Sequence, residues 1–238
     1  MSVLSKLLDR SIVFSFDRTG FNRHRKSFRG SDLDVDLRGR HIVITGANSG
    51  IGFASASALA AMGATITLVC RSGERALKAK HQILSDTAKA DLRIVLADLS
   101  NLESIRAAAP QISGPINALI HNAGNMLDER VLTADGLEAI TALHVAGPYL
   151  LTTLLRPQLE AAGNTGPVRV VFVASGGMYT QSLDLEQLNR PLTPYDGTRH
   201  YALTKRAQVV LAEQMHALWS SQGVSVHSMP AQKRRPVA

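Results

Sequence analysis

A single cysteine, Cys70, stands in 238 residues, so no disulfide can close within the chain, and no CxxC pair or Cys/His cluster suggests a metal site. A reducing compartment is the default for such a sequence. Aromatic residues are scarce at 5%, and in the body of the chain beyond residue 30 they are not interleaved with basic residues as a nucleic-acid surface would require. No apolar run reaches the roughly 18–20 residues of a membrane span, and the N-terminus lacks the apolar core and small-residue cleavage site of a signal peptide. The expectation is a soluble, cytoplasmic protein, with any membrane contact peripheral and made by the N-terminal segment.

Acidic residues are also outnumbered, 19 against 26 Lys+Arg, but the imbalance sits at the ends. Residues 1–30 carry a net +5, Lys233, Arg234 and Arg235 add +3, and the remainder is −1. A near-neutral body with basic ends argues against nucleic-acid binding. It leaves two readings of the ends open: solvated charge, or weak attraction to an anionic surface.

With 45% hydrophobic residues, the length fits one well-buried α/β domain. Residues 1–39 read as an N-terminal extension, 40–230 as the domain and 231–238 as a basic tail. The first 16 residues hold Leu7, Leu8, Ile12, Val13, Phe14 and Phe16, consistent with a helix packed on the body or lying on a membrane surface.

From Arg40 onward short β-branched runs alternate with longer helical patterns, which is how consecutive βαβ units appear in sequence. Six strands are predicted at 41–44, 65–69, 92–97, 118–120, 168–174 and 224–228, each nearly all apolar, as strands covered on both faces must be. Helices are predicted to start near Gly50, Glu74, Asn101, Ala134 and Arg199. Right-handed crossovers then give a Rossmann-type, doubly wound parallel sheet with helices on both faces. Its ligand site lies at the C-terminal strand ends.

The first strand runs into Gly46, Ala47, Asn48, Ser49, Gly50, Ile51 and Gly52. Glycine there serves a tight turn, backbone approach to a pyrophosphate, and close packing of helix on sheet, while the helix N-terminus offers N–H groups to phosphate. After the second strand, where an NAD-selective site places a carboxylate against the ribose 2′-hydroxyl, the chain has Arg71. Arg71 can pair with a 2′-phosphate, which favours NADP(H); a solvated loop arginine is the plainer alternative.

Tyr201 and Lys205 open the last predicted helix at i,i+4 spacing, and Ser175 ends the preceding strand, so three groups suited to carbonyl chemistry converge by topology. Hydride addition to a carbonyl builds an alkoxide that must be protonated. Tyr201 is the candidate acid. Lys205 is the candidate cation, expected to bring the phenol down from its ordinary pKa of about 10, and Ser175 is the candidate for holding the substrate oxygen.

These motifs, in this order, resemble those of the short-chain dehydrogenase/reductases over residues 40–228. Further likenesses at 132–138, 175–179 and 194–197 make the chain similar to the family's member-twelve subgroup, near the retinol-dehydrogenase-like enzymes. The resemblance implies NADP(H), and a ketone, aldehyde or alcohol on a hydrophobic body as substrate. It also implies homo-oligomers built on the helices beginning near Ala134 and Arg199. Asp98 and Leu99 look like the family's adenine-contacting element, and Asn122, Ala123 and Gly124, preceded by His121 in place of the usual Asn, like its cofactor-side element.

His144 falls where the family places a relay asparagine, so either proton relay or a plain buried histidine is implied there. The family continues beyond the sixth strand, whereas this sequence stops at Ala238. That departure sets up a competing expectation: a C-terminally truncated, catalytically weak or inactive dinucleotide-binding protein.

Overall fold

Six parallel strands make one sheet in the order β3-β2-β1-β4-β5-β6. They are β1 His41–Thr45, β2 Thr65–Cys70, β3 Leu92–Leu96, β4 Ala118–His121, β5 Val168–Ala174 and β6 Val224–Pro230. This computed structural model describes residues 18–230 apart from 165 and 192. The helix expected in the first 16 residues and the basic tail lie outside the described residues.

Strand positions agree with the sequence reading to within two residues. The central strands are buried along their length, β1 wholly so, because helices cover both of their faces. At the edge, β3 alternates, leaving Arg93 and Leu96 exposed. Val43 of β1 pairs with Thr67 on one side and Leu119 on the other, so the chain reverses direction across the sheet between β1 and β4. Doubly wound sheets bind ligands at that switch point.

Ahead of the sheet lies a short helix, α1, Arg18–Arg25. Two helices, α2 Gly50–Ala61 and α3 Gly73–Asp86, cover one face with Ala56, Ala60, Ala76 and Ile83 against Ile42, Ile44, Ile66 and Leu68. The opposite face is covered by α4 Leu102–Ala108, by α5 and by α6 Arg156–Gly163. The helix α5 is continuous through Ala139–Thr141, a π turn at Ala142–Ala146, and Gly147–Leu154. After β5 come α7 Leu185–Asn189 and the 23-residue α8 Gly197–Trp219, which adds Ala212, Met215 and Trp219 to the second core beside Phe172. Phe172 is fully buried, and truncating it to alanine is expected to cost about 3–5 kcal/mol.

One expectation needs correction. The helix expected near Ala134 begins at Ala139, because 132–138 closes a short turn through a bridge between Leu132 and Glu138, and Glu138 itself caps the helix by accepting the Thr141 N–H. Helices lie on both faces of the sheet as expected, though the cover is uneven. Beyond β4, whose Ala118 and Ile120 still pack against the α2/α3 core, that face is open on β5 and β6, where Arg169, His227 and Met229 are exposed, and β6 is an edge strand.

Candidate active site

The Gly-rich turn is shaped by what sits across it. Gly46 has φ +65°, and a Cβ there would lie 2.8 Å from the Ala123 Cα; at Gly52 a Cβ would fall 2.3 Å from Asn122 Nδ2 and 2.5 Å from the Gly46 carbonyl oxygen. Both glycines are therefore demanded by close approach, not merely tolerated. The Asn122 side chain donates to the carbonyls of Thr45 and Gly46, at 3.1 and 3.2 Å. The Thr45 hydroxyl oxygen accepts the N–H groups of Asn122 and Ala123, at 3.1 and 3.0 Å. The ends of β1 and β4 are thus locked together, and Asn122 acts first as the brace of the turn. Thr45 shares that task, which the sequence reading did not assign to it.

Ser49 precedes α2 without a side-chain cap, so the first N–H groups of that helix, from Gly50, Ile51 and Gly52, face the turn with the helix's partial positive charge. Arg71 is exposed directly after β2, and Ser72 caps α3. Behind them Cys70 is buried against the turn. Burial pushes its thiol up to about 11, which leaves it unreactive. The Asp98 carboxylate accepts the N–H and hydroxyl of Ser100, at 2.9 and 2.6 Å, while Leu99 belongs to the core.

At the other end of the turn, Ser175 closes β5 and Tyr201 and Lys205 lie on α8, whose start is fixed by Asp196 accepting the Arg199 N–H at 3.0 Å. Ser175 is hydrogen-bonded to the Tyr201 phenol and also accepts the Gly177 N–H at 3.3 Å. Lys205 is buried at 3% exposure, with its Nζ 5.6 Å from the centre of the Tyr201 ring. Here the protein departs from expectation. Burial pushes the phenol above its ordinary value, opposed by the Ser175 hydrogen bond, while the Lys205 ammonium stands beside the ring.

His144 is wholly buried in the π turn and meets the Tyr201 ring edge-on, 5.3 Å between centres. Its Nε2 accepts the Asn125 N–H at 3.3 Å, which assigns the proton to Nδ1, donating to Thr204 Oγ1 at 2.8 Å. Burial, reinforced by the charges of Lys205 and His200, holds it well below the ordinary histidine value, so the ring is neutral. Both ring nitrogens are engaged away from Lys205. What reaches Lys205 is the His144 main chain, through Gln208: the amide donates to the His144 carbonyl at 2.8 Å and accepts from Lys205 Nζ at 2.9 Å, while Nζ also donates to the Val173 carbonyl at 2.9 Å. Sequence reasoning missed Gln208, although its position three residues after Lys205 places both on one helix face.

The residues named from sequence therefore occupy one end of the sheet, phosphate groups' natural partners on one side and proton-handling groups on the other. The family model of short chain dehydrogenase matches residues 40–231. The chain belongs to that family. It is 38% identical over 214 residues to dehydrogenase/reductase SDR family member 12 of Bos taurus, covering 89% of this chain and 65% of that protein, a little under two thirds of its length.

Among solved structures, an uncharacterized protein from Mycobacterium paratuberculosis superposes with a TM-score of 0.72 at 30% identity, over 82% of this chain and 68% of that one. The 3-ketoacyl-(acyl-carrier-protein) reductase of Brucella melitensis, complexed with NADH, gives 0.65 at 25% identity, over 82% and 75%. No helix among the described residues is long and apolar enough to cross a membrane.

Proposed function

We propose that the chain is an NADP(H)-dependent oxidoreductase that interconverts a ketone or aldehyde with an alcohol on a hydrophobic substrate. The observation that carries this reading is the Tyr201 phenol, joined to Ser175 and backed by a buried Lys205, at the same strand ends as the glycine turn. The cradle fits a dinucleotide: at Gly46 and Gly52 the backbone comes too close for any side chain, and the uncapped start of α2 favours a pyrophosphate.

Held by the Gly46–Gly52 turn and the start of α2, a nicotinamide dinucleotide would supply the hydride for carbonyl reduction and accept one in alcohol oxidation. The chain's own residues handle the oxygen. Ser175 holds the carbonyl oxygen in place, and Tyr201 protonates it as negative charge develops. Lys205 lends positive charge that eases the phenol's loss of its proton. Its buried position makes that charge count for more than it would in water.

Arg71 supports NADP(H) over NAD(H), since no carboxylate stands beside it at the end of β2 to meet a ribose hydroxyl. The Brucella neighbour is described with NADH, so selectivity is read from this chain's own β2 end. Met126 and Tyr179, exposed on the segments that follow Asn125 and Ser175, favour an apolar substrate body. Exposed Tyr149 on α5 and Leu218 on α8 support pairing of copies through those helices.

The deciding experiment is NADPH-dependent reduction of a broad carbonyl panel by the chain and by Tyr201→Phe. Turnover that falls about 10²–10⁴-fold in the variant, with cofactor binding kept, is the expected result. Cofactor binding without turnover on any carbonyl would leave a dinucleotide-binding protein in place of an enzyme.

A further inference from the structure

A buried ammonium must be held, and what holds Lys205 is instructive. Its acceptors include two neutral oxygens, the Val173 carbonyl and the Gln208 amide, each at 2.9 Å. Gln208 is itself completely buried, and its other end donates to the His144 carbonyl at 2.8 Å. In a regular α-helix that carbonyl would take the N–H four residues on, but that residue is Pro148, which has none. The helix opens into its π turn at this point, where the Gly147 N–H reaches back five residues to the Ala142 carbonyl. Gln208 supplies from the neighbouring helix the donor that Pro148 cannot.

We propose that Gln208 is a positioning residue: it ties the Lys205 ammonium to the carbonyl that Pro148 leaves without its helical donor, and so sets the positive charge that acts on the Tyr201 phenol. This rests on the reading of Tyr201 as proton donor. An amide suits the task because it is neutral and two-sided, accepting from the ammonium while donating to the carbonyl. A carboxylate at the same place would offset the ammonium's charge, and an apolar side chain would leave two buried polar groups short of a partner. The titratable groups facing the phenol are Lys205 from α8 and His144 from α5, with the His200–Glu138 pair behind His144. Ser175 adds its hydroxyl after β5. Among these groups Lys205 is the charge that Gln208 touches and governs.

The test titrates Tyr201 in the full chain by the NMR signal of ring-labelled tyrosine, assigned through its loss in Tyr201→Phe. In Gln208→Glu the phenol should ionise at higher pH, with about tenfold less phenolate at a given alkaline pH than in the unaltered chain. An unmoved Tyr201 titration in folded Gln208→Glu overturns the proposal, since a purely structural amide would change melting and leave the phenol alone. Should that variant not fold, the unaltered chain decides: the Gln208 side-chain amide signal should follow the Tyr201 titration, and a signal indifferent to it overturns the proposal equally. Neither readout needs substrate or cofactor. Carbonyl turnover that persists in Tyr201→Phe would therefore sink the enzymatic reading separately.

Discussion

The Glu138 carboxylate receives the His200 Nε2–H at 2.7 Å, with the two side chains 0% and 3% exposed, and His200 directly precedes Tyr201. The same carboxylate accepts the Thr141 N–H at 2.7 Å and the Tyr195 hydroxyl at 3.3 Å. The Glu138 N–H in turn donates to Asn189 at 2.7 Å. The start of α5, the end of α7 and the first turn of α8 are thereby joined around one buried charge. Burial alone would push the Glu138 carboxyl up, but the hydrogen bonds from His200 and Thr141 outweigh it and hold the group below its ordinary 4.5.

Removing that charge should be costly. Glu138→Gln is expected to lose about 3 kcal/mol of stability at pH 7, because His200 is left buried without its anionic partner. The pH dependence has a definite sign: a carboxyl depressed in the fold contributes stability above its unfolded value and loses that contribution as pH falls through its folded value. In urea unfolding, the gap between the unaltered chain and Glu138→Gln should narrow below about 4.5. A gap that stays constant into acid contradicts the role given to the charge.

Two buried histidines act at milder pH. Burial holds His121 at about 3, and His144 lies well below its ordinary 6.5. Below 6.5 the unfolded chain takes up protons that the fold refuses, so stability should fall as pH drops through that value, by up to about 1.4 kcal/mol per pH unit for each histidine. The urea midpoint followed from pH 8 to 5 should show this decline. His121 offers a control: its Nε2 meets Thr152 at 2.7 Å while Nδ1 has no partner, so His121→Phe should remove one proton's worth of slope at little cost in stability.

The sheet, its topology and the glycine turn were legible because local patterning dictates them: fully buried strands are apolar throughout, and a cradle without room for Cβ must read as glycine. Ser175, Tyr201 and Lys205 were legible for the same reason, their positions following from strand end and helix spacing. The π turn was not, since one additional residue hardly disturbs helical periodicity, although Pro148 gives its cause in retrospect. Nor could Gln208 or the Glu138–His200 pair be found, because their partners are 62 to 64 residues away in the chain. The start of α5 was misplaced because glutamate, its N-cap, is not among the residues that usually mark a helix start.

Gly52→Ala tests the cradle. A Cβ 2.3 Å from the Asn122 amide must displace the brace between β1 and β4, so cofactor affinity should fall at least about tenfold and stability by about 1–3 kcal/mol. Fluorescence titration with NADPH and a thermal melt measure the two effects. Unchanged binding would mean that the turn does not carry the pyrophosphate.

Arg71→Ala tests selectivity. Because Arg71 is exposed after β2, its loss should leave the fold intact and weaken NADPH binding about tenfold, while NADH binding stays within a factor of about two. Equal weakening of both cofactors, or no change in either, would refute selection of the 2′-phosphate by this residue.

The additional residue held by the π turn at Ala142–Ala146 also has a geometric consequence. Each residue of an α-helix advances about 100° around the axis, so the insertion sets the two halves of α5 out of phase by roughly that angle. Upstream, Glu138 and Thr141 turn toward α8; downstream, Leu151 is aimed at the sheet, followed by Leu155 just past the helix. Excising a single residue from the turn would leave a perfectly good helix whose two ends no longer point where each is needed, so this segment should tolerate substitution far better than deletion.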